Sequence, residues 1–175
     1  MFTPVNLKGW IEEHRHLLKP PVGNAQVWRD GRGTIIMVVA GPNARNDYHV
    51  QPTEEFFYQV EGDMTLRIIH PESGQPHDIP IREGEIYLLP RKVPHSPQRP
   101  AGTVGLVIEQ ERPEDEPDEL RWYCDACHEV VHRSTFRLEN IAEDLKRIME
   151  RFWSSDELRT CGACGAKVER PAATS

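Results

Sequence analysis

RNDYHVQPTEEFFYQVEG, residues 45–62, is the stretch that decides the fold. It contains His49 and Glu55, and it ends on a turn glycine, Gly62, which Asp63 follows. Aromatic and β-branched residues lie on both sides of this Gly-Asp pair, which predicts two strands joined by a tight turn. Because imidazole and carboxylate groups are both metal ligands, the stretch also predicts half of a metal site.

A second stretch, GEIYLLPRKVPHSPQR at residues 84–99, supplies His95. Two His and one Glu with open positions left over form the facial triad of non-haem Fe(II) oxygenases. Side chains at alternate positions of a strand share one face, so ligands far apart in sequence can converge inside a barrel. We therefore expect His49, Glu55 and His95 to bind a catalytic Fe(II). The alternative is three unrelated polar residues in strands.

The middle of the chain is typical of a β-barrel. From residue 34 to residue 111, short runs rich in Val, Ile and Leu are separated by Gly, Pro, Asn and Asp. That pattern predicts an all-β sandwich or barrel. Helical spacing occurs at residues 6–19, where Asn6 is a possible N-cap and Pro20-Pro21 a stop. A chain of 175 residues has room for one main domain and a small appendage.

The C-terminal region carries a second candidate metal site. Two C-x2-C pairs are a strong signal for a tetrahedral thiolate site that binds iron or zinc. The ligands would be Cys124, Cys127, Cys161 and Cys164. Four thiolates leave no open position, so this second metal would be structural, whereas the alternative is four free thiols. Gly165 suits the turn after the second pair, and His128 at the matching place makes the first turn less secure.

A helix is predicted between the two cysteine pairs. NIAEDLKRIMERFW, residues 140–153, has apolar residues on one face and Asn140 with Glu143 as a capping box. We divide the chain into a barrel with its N-terminal helix at 1–112, an acidic linker at 113–121 and a rubredoxin-like four-cysteine extension with one helix at 122–175. The predicted fold class is therefore mainly β.

Composition excludes several partners. The net charge is −7 with no basic block, which argues against nucleic acid. No apolar run is long enough to span a bilayer, and the N-terminus lacks a signal pattern. We therefore expect a cytoplasmic protein, in which reduced thiols favour metal over disulfides. A homodimer is expected, because barrel edges need covering and the C-terminal helix has a broad apolar face.

The two stretches with His ligands resemble the motifs of the cupin superfamily. The first motif is matched by Gly41, His49, Glu55 and Gly62, with Asp47 in place of its first His. The second is matched by Gly84, Pro90 and His95, with Lys92 and Arg99 in place of Gly and Asn. This resemblance implies a cupin-type jelly roll. It also leaves open a cupin isomerase or small-molecule binding module without O2 chemistry, and the tail alone would suit a zinc-ribbon adaptor.

Over a longer span the sequence resembles the 3-hydroxyanthranilate 3,4-dioxygenase family, in the bacterial form with a rubredoxin-like tail. The matching blocks are LLKPPVGNAQVW, NDYHVQPTEEFFYQVEG, LLPRKVPHSPQRP, LVIEQERP and WYCDACHEVVHR. The resemblance implies an Fe(II)-dependent, extradiol-type dioxygenase that opens 3-hydroxyanthranilate with O2. Its product, 2-amino-3-carboxymuconate semialdehyde, cyclises to quinolinate, which links tryptophan breakdown through kynurenine to NAD synthesis.

The same resemblance assigns roles to four further residues. Arg99 would bind the substrate carboxylate, Arg45 would border the O2 site, and Glu109, together with Glu55, would contact the substrate. Arg45 and Glu109 would then be catalytic. An arginine inside an apolar barrel is costly unless it meets an anion, although both arginines could instead lie at the surface. Asn24 is either near the active site, as the family implies, or a turn residue.

Overall fold

The computed structural model describes residues 3–18, 23–28, 33–43, 45–137 and 141–171, and for 141–143 the backbone alone. Helix α1 spans Leu7–His14 and begins after Asn6, whose side-chain oxygen accepts from the backbone N–H of Gly9 at 2.9 Å. The predicted N-cap is thus confirmed. The helix tightens into a 3₁₀ turn at Arg15–Leu17, and the predicted Pro20-Pro21 stop lies outside the described residues.

The described part of the chain contains eleven strands in two antiparallel sheets. They are β1 Asn24–Gln26, β2 Thr34–Ala40, β3 Asp47–Val50, β4 Glu55–Glu61, β5 Met64–Ile69, β6 Pro76–Ile81, β7 Ile86–Leu89, β8 His95–Gln98, β9 Val104–Gln110, β10 Asp118–Tyr123 and β11 Val130–Phe136. One sheet has the order β1-β2-β9-β4-β7, and the other has the order β11-β10-β3-β8-β5-β6. The predicted mainly-β barrel with an N-terminal helix is confirmed.

The barrel interior is built by the period-two alternation of its strands. Along β4 and β9 the buried side chains recur at every second position. Cα pairing places three pairs of inward residues in successive rows, Glu55 with Glu109, Phe57 with Val107 and Gln59 with Gly105. An acidic row is thereby separated from a polar row by an apolar one. Helix α1 packs outside the barrel, where Ile11 contacts a cluster with Val38 and Val104.

Two turns have a backbone conformation that favours glycine, one at a glycine that the motif contains and one at a residue that replaces a motif glycine. Gly62 has φ 63° between β4 and β5, as the turn prediction requires. Lys92, which stands where the motif has glycine, has φ 62°. For a residue with a side chain this left-handed conformation costs about 1–2 kcal/mol. The backbone of the motif is therefore retained although its glycine is absent.

The C-terminal region continues the six-stranded sheet. Strand β10 pairs with β3, and residues 118–121 therefore belong to the sheet instead of to the linker predicted at 113–121. Every second side chain of this strand is buried, namely Asp118, Leu120 and Trp122. The acidic composition of the segment made this strand pattern hard to recognise in the sequence. The two prolines of this segment, Pro113 and Pro117, precede the strand. The connection between the barrel and the tail is thus shorter than its composition suggested.

The tail packs its helix on the last two strands. Helix α2 spans Ile141–Ser154, and its apolar face joins a cluster with Trp122 and Phe136. A further short helix, α3 at Asp156–Arg159, is capped by Ser155, whereas the sequence predicted one helix. Asn140 lies outside the described residues and the Glu143 side chain is not described, so the capping box stays a prediction. No helix in the described ranges is both long and apolar enough to cross a membrane.

Candidate metal centre

The three predicted iron ligands lie together inside the barrel. His49 on β3 and His95 on β8 are directly opposite each other in one sheet, with ring centroids 5.3 Å apart. Glu55 reaches them from β4 in the facing sheet. One ligand atom from each residue lies within 4.8 Å of the other two, and His95 Nε2 is 2.9 Å from Glu55 Oε2. Two nitrogens and one carboxylate oxygen therefore converge.

The electrostatics of these groups suit a divalent metal. Burial lowers the pKa of His49 and keeps its ring neutral. Burial opposes the charge of Glu55, but the two imidazoles and Arg112 hold its pKa below the ordinary value. Burial likewise disfavours protonated His95, yet Glu55 raises the pKa of that imidazole, so metal binding would release a proton. Two nitrogen donors and one anionic oxygen fit Fe(II).

A hydrogen bond also fixes the ring of His95. Its Nδ1 lies 3.0 Å from the carbonyl oxygen of Val93, to which it donates. The ring nitrogen that faces Glu55 is therefore Nε2. Metal-binding histidines are commonly oriented by such a bond from the nitrogen that is not used for the metal.

A buried ion-pair network supports the other imidazole, and sequence reasoning missed it. His49 Nε2 lies 3.1 Å from Asp118 Oδ2, and Arg112 Nε donates to Asp118 Oδ1 at 2.9 Å. The Asp118 side chain is fully buried, and that of Arg112 is 9% exposed. Burial opposes the charge of Asp118, but His49 and Arg112 together lower the pKa of this carboxyl group. Asp118 was hidden because its segment was interpreted as a linker.

The guanidinium of Arg112 also contacts residues beside Glu55, on the other side of the candidate site from His49. Arg112 Nη2 donates at 2.5 Å both to Glu109 Oε2 and to Gln51 Oε1. The amide nitrogen of Gln51 then donates to Glu55 Oε2 at 3.1 Å. One arginine thus contacts neighbours of two predicted iron ligands. In the sequence, the one hint of these Arg112 contacts was an acid, Glu109, three residues before the arginine.

Glu109 is poised to exchange a proton near neutral pH. Burial and the nearby negative charge of Glu55 raise its pKa to about 7, although Arg112 partly opposes the shift. The residue lies in the row of Glu55, to which its Cα is paired across the two strands. A buried carboxyl group with such a pKa can accept a proton and return it.

The two predicted arginines have different partners. Arg45 precedes β3 and forms an ion pair with Asp47, the residue that replaces the first motif His. Asp47 is therefore occupied by this guanidinium. Arg99 is 2% exposed, and its Nη1 donates to Gln59 Oε1 at 2.9 Å. Its Nε has no hydrogen-bond partner among the described residues, and burial lowers the pKa of the Arg99 guanidinium to about 10.

Asn24 is in neither a turn nor the ligand group. It is the first residue of β1, and its Cα pairs with that of Val39. The turn interpretation is therefore wrong, because the residue takes part in the edge pairing of the five-stranded sheet. Its proximity to the substrate stays a prediction.

The four cysteines form the second cluster, and their sulfur atoms lie within 4.8 Å of one another. Both pairs turn in the same way: the N–H of His128 donates to the carbonyl of Cys124 at 2.8 Å, and that of Gly165 to the carbonyl of Cys161 at 2.9 Å. His128 has φ 62° and Gly165 has φ 76°. Backbone N–H groups lower the pKa of the Cys161 thiol to about 7. The first turn therefore forms without glycine.

A two-sheet β-barrel with two imidazoles and a carboxylate converging inside it defines a metal-binding protein of the cupin class. A sequence model of the 3-hydroxyanthranilic acid dioxygenase family matches residues 1–153, and the chain belongs to that family. It is 54% identical to a 3-hydroxyanthranilate 3,4-dioxygenase from Xanthomonas euvesicatoria over 94% of this chain and 92% of the relative. It is 55% identical to one from a Jannaschia species over 91% of this chain and 88% of the relative.

Solved structures give more distant matches. A cupin-2 domain protein from Shewanella frigidimarina is 17% identical with a TM-score of 0.48, covering 61% of this chain and 93% of that one. A protein from Neisseria meningitidis is 24% identical with a TM-score of 0.46, covering 62% of this chain and 99% of that one.

Proposed function

We propose that the protein is an Fe(II)-dependent dioxygenase that converts 3-hydroxyanthranilate and O2 to 2-amino-3-carboxymuconate semialdehyde, which cyclises to quinolinate. The observation that carries the proposal is the placement of Arg99, a buried arginine with no ion pair among the described residues, in the same interior as the predicted iron ligands. Such an interior suits an aromatic acid whose other end chelates a metal. Membership of the dioxygenase family supports the same conclusion.

His49, Glu55 and His95 would hold the iron. Bound there, Fe(II) supplies a centre at which O2 and a chelating aromatic ring can react despite the spin barrier between them. Two imidazoles and one carboxylate would hold the iron without supplying a full set of protein ligands, as in the facial triad of non-haem iron oxygenases. Asp118 and Gln51 would keep the imidazole of His49 and the carboxylate of Glu55 in place through the contacts described above.

Arg99 would bind the carboxylate of the substrate. Among the residues that the structure describes, Arg99 forms no ion pair with a carboxylate, and its hydrogen-bond partner is the neutral amide of Gln59. A buried guanidinium without an anion is unfavourable, and a ligand carboxylate would satisfy it with two parallel hydrogen bonds. If Arg99 pairs with a ligand carboxylate in this way, the site requires a substrate that carries an acid group.

The predicted iron ligands and the residues around Arg99 lie in different rows of the barrel interior. Glu55 and Gln59 are four positions apart on β4, or roughly 13 Å at about 3.3 Å per residue. The row between them contains Phe57 and Val107, which offer an apolar surface to the ring.

Glu109 and Arg45 would complete the site. With a pKa of about 7, Glu109 would accept the proton of the substrate hydroxyl group. Arg45 would border the O2 side, where its charge is balanced by Asp47. Glu55 and Glu109 are paired across β4 and β9, so both would contact the same end of the substrate.

The four-cysteine site would hold a structural iron or zinc, because four thiolates fill a tetrahedron. Its position at the end of β10 and beside the α2 cluster suits a role in fixing the tail. The metal of this site has no open position for substrate or O2.

Oxygen uptake tests the proposed function. Fe(II)-loaded protein should consume one O2 for each 3-hydroxyanthranilate and form a product that converts to quinolinate without further enzyme. A cupin isomerase or a binding module would consume no O2, and that result would reject the proposal.

A further inference from the structure

We propose that Gln59 and Gly105 are positioning residues that make the site select an acid-bearing substrate, by fixing Arg99 and leaving its charge without an internal anion. The inference rests on the proposed function and deepens it. Neither residue was among those expected from the motifs. Both lie in the polar row of the barrel interior, directly opposite each other on β4 and β9.

Gln59 holds the guanidinium with a neutral acceptor. Its side chain is buried, and its amide oxygen accepts from Arg99 Nη1 at 2.9 Å. Its amide nitrogen donates to the carbonyl oxygen of Glu61 at 3.1 Å. This second bond fixes which end of the amide faces the arginine. Gln59 can therefore orient Arg99 but cannot neutralise it.

Gly105 provides the space in which the guanidinium lies. A methyl group at this position would be 2.6 Å from Nη1 and 2.9 Å from Nη2 of Arg99, and 2.9 Å from the Gln59 amide oxygen. These distances are too short for carbon and nitrogen atoms that are not bonded. Because the obstructed atoms are the ends of long side chains, the strand could stay in place while the guanidinium moves.

The other arginines of the site differ from Arg99 in their partners. Arg112 is paired with the carboxylates of Glu109 and Asp118, and Arg45 with that of Asp47. Their charges are balanced within the chain. In the described part of the chain the side-chain partner of Arg99 is an amide, so we infer that the balancing anion comes from a ligand. The preference for a substrate with a carboxylate then depends on the neutral side chain of Gln59, because an acid at this position would itself pair with Arg99.

The first test is Gln59→Glu, which changes the charge with almost no change of shape. An internal carboxylate would compete with the substrate for Arg99. We expect KM for 3-hydroxyanthranilate, and Kd for its anaerobic binding, to rise on the order of 10- to 100-fold, with kcat changed much less. Turnover of 2-aminophenol, which lacks the carboxylate, should be nearly unchanged. Equal losses for both substrates would overturn the inference.

The second test is Gly105→Ala, measured both alone and in an Arg99→Ala background. Alone, it should weaken anaerobic binding of 3-hydroxyanthranilate about 10-fold or more while 2-aminophenol turnover is retained. In the Arg99→Ala background it should add almost nothing, because the group that the methyl displaces is gone. Gly9→Ala adds a methyl group on the exposed side of α1, with its closest contact at an ordinary 3.6 Å, and is the matched control.

The outcomes separate the two proposals. If the unsubstituted protein consumes O2 with 3-hydroxyanthranilate but both variants bind it normally, the inference on Gln59 and Gly105 is wrong and the proposed function stands. If Gly105→Ala costs the same in both backgrounds, the glycine acts through the fold and its positioning role is rejected. If the unsubstituted protein neither binds nor turns over 3-hydroxyanthranilate, both proposals fail.

Discussion

Arg112 donates to Asp118 at 2.9 Å, and the same carboxylate lies 3.1 Å from His49 on the neighbouring strand. Arg112 thus forms ion pairs with two buried acids, Glu109 and Asp118, beside the predicted iron ligands. Removing one partner of a buried ion pair leaves the other charge uncompensated, which is far less favourable than losing an exposed pair. Arg112 is therefore expected to matter both for stability and for metal binding.

Arg112→Met should lower the free energy of unfolding by about 3–5 kcal/mol. It should also weaken Fe(II) binding, because Asp118 and Gln51 lose the group that orients them. Urea denaturation and iron titration measure the two effects. Arg67→Met is the matched control, since Arg67 forms an exposed pair with Asp78 at 3.4 Å and should contribute about 1 kcal/mol or less. Similar losses for both variants would contradict the buried-network argument.

Alanine at His49, Glu55 or His95 should abolish iron binding in the barrel. The four-cysteine site should stay loaded, because its ligands come from a separate part of the chain. Metal counted per chain after each substitution decides the matter, with Cys161→Ser as the reciprocal variant that loses the tail metal instead. Full retention of barrel iron in all three alanine variants would refute the ligand assignment.

Arg99→Ala should reduce kcat/KM for 3-hydroxyanthranilate by roughly two to three powers of ten, because the substrate carboxylate would be buried without a partner. Arg99→Lys keeps the charge without the planar fork and should recover only part of the loss. With 2-aminophenol both variants should behave like the unsubstituted protein. A uniform loss across both substrates would mean that Arg99 supports the fold.

His128→Gly should raise the free energy of unfolding by about 1 kcal/mol, because φ 62° strains a residue that has a Cβ. The neighbouring substitution Glu129→Gly is the control, since Glu129 is not among the residues with positive φ and glycine there should be destabilising by about 0.5–1 kcal/mol. Thermal unfolding of the metal-loaded protein compares the two. A loss of stability in His128→Gly would argue that the imidazole itself stabilises the turn.

A homodimer is expected at micromolar concentration, with the edge strand β7 as its contact. Ile86 and Leu88 on this strand are 66% and 54% exposed, which is unusual for large apolar residues at a sheet edge. Leu88→Lys should therefore produce monomers in sedimentation experiments, whereas Val5→Lys, at another exposed apolar residue, should not. A monomer in the unsubstituted protein would reject the expectation.

The spacing of residues within short motifs was enough to predict part of the candidate site. His49, Glu55, His95 and the cysteine pairs could be proposed as ligands because each motif spans few residues, and the side chains of each group lie together. Lys92 and His128 show the limit of such rules, since the backbone adopts the glycine conformation at both positions without glycine. Motif spacing thus specified the turn better than residue identity did.

Contacts that depend on strand pairing could not be predicted in this way. The contact of Gln59 with Arg99 and the space at Gly105 arise from the register of β4 and β9, which no local pattern specifies. Asp118 was missed because an acidic segment with prolines is typical of a linker. The apolar face of α2, one argument for a dimer, packs largely against β10 and β11 of the same chain.

Because β10 follows the predicted iron ligands in the chain, it is synthesised after them. All three predicted iron ligands precede residue 96 in the chain. The strand that covers β3, and the carboxylate that contacts His49, leave the ribosome only later. A nascent chain that has emerged as far as β9 therefore holds the imidazole of His49 without Asp118, its buried acidic partner. The predicted metal centre and its surroundings are therefore complete only once the C-terminal third of the chain, which also carries the four cysteines, has been made.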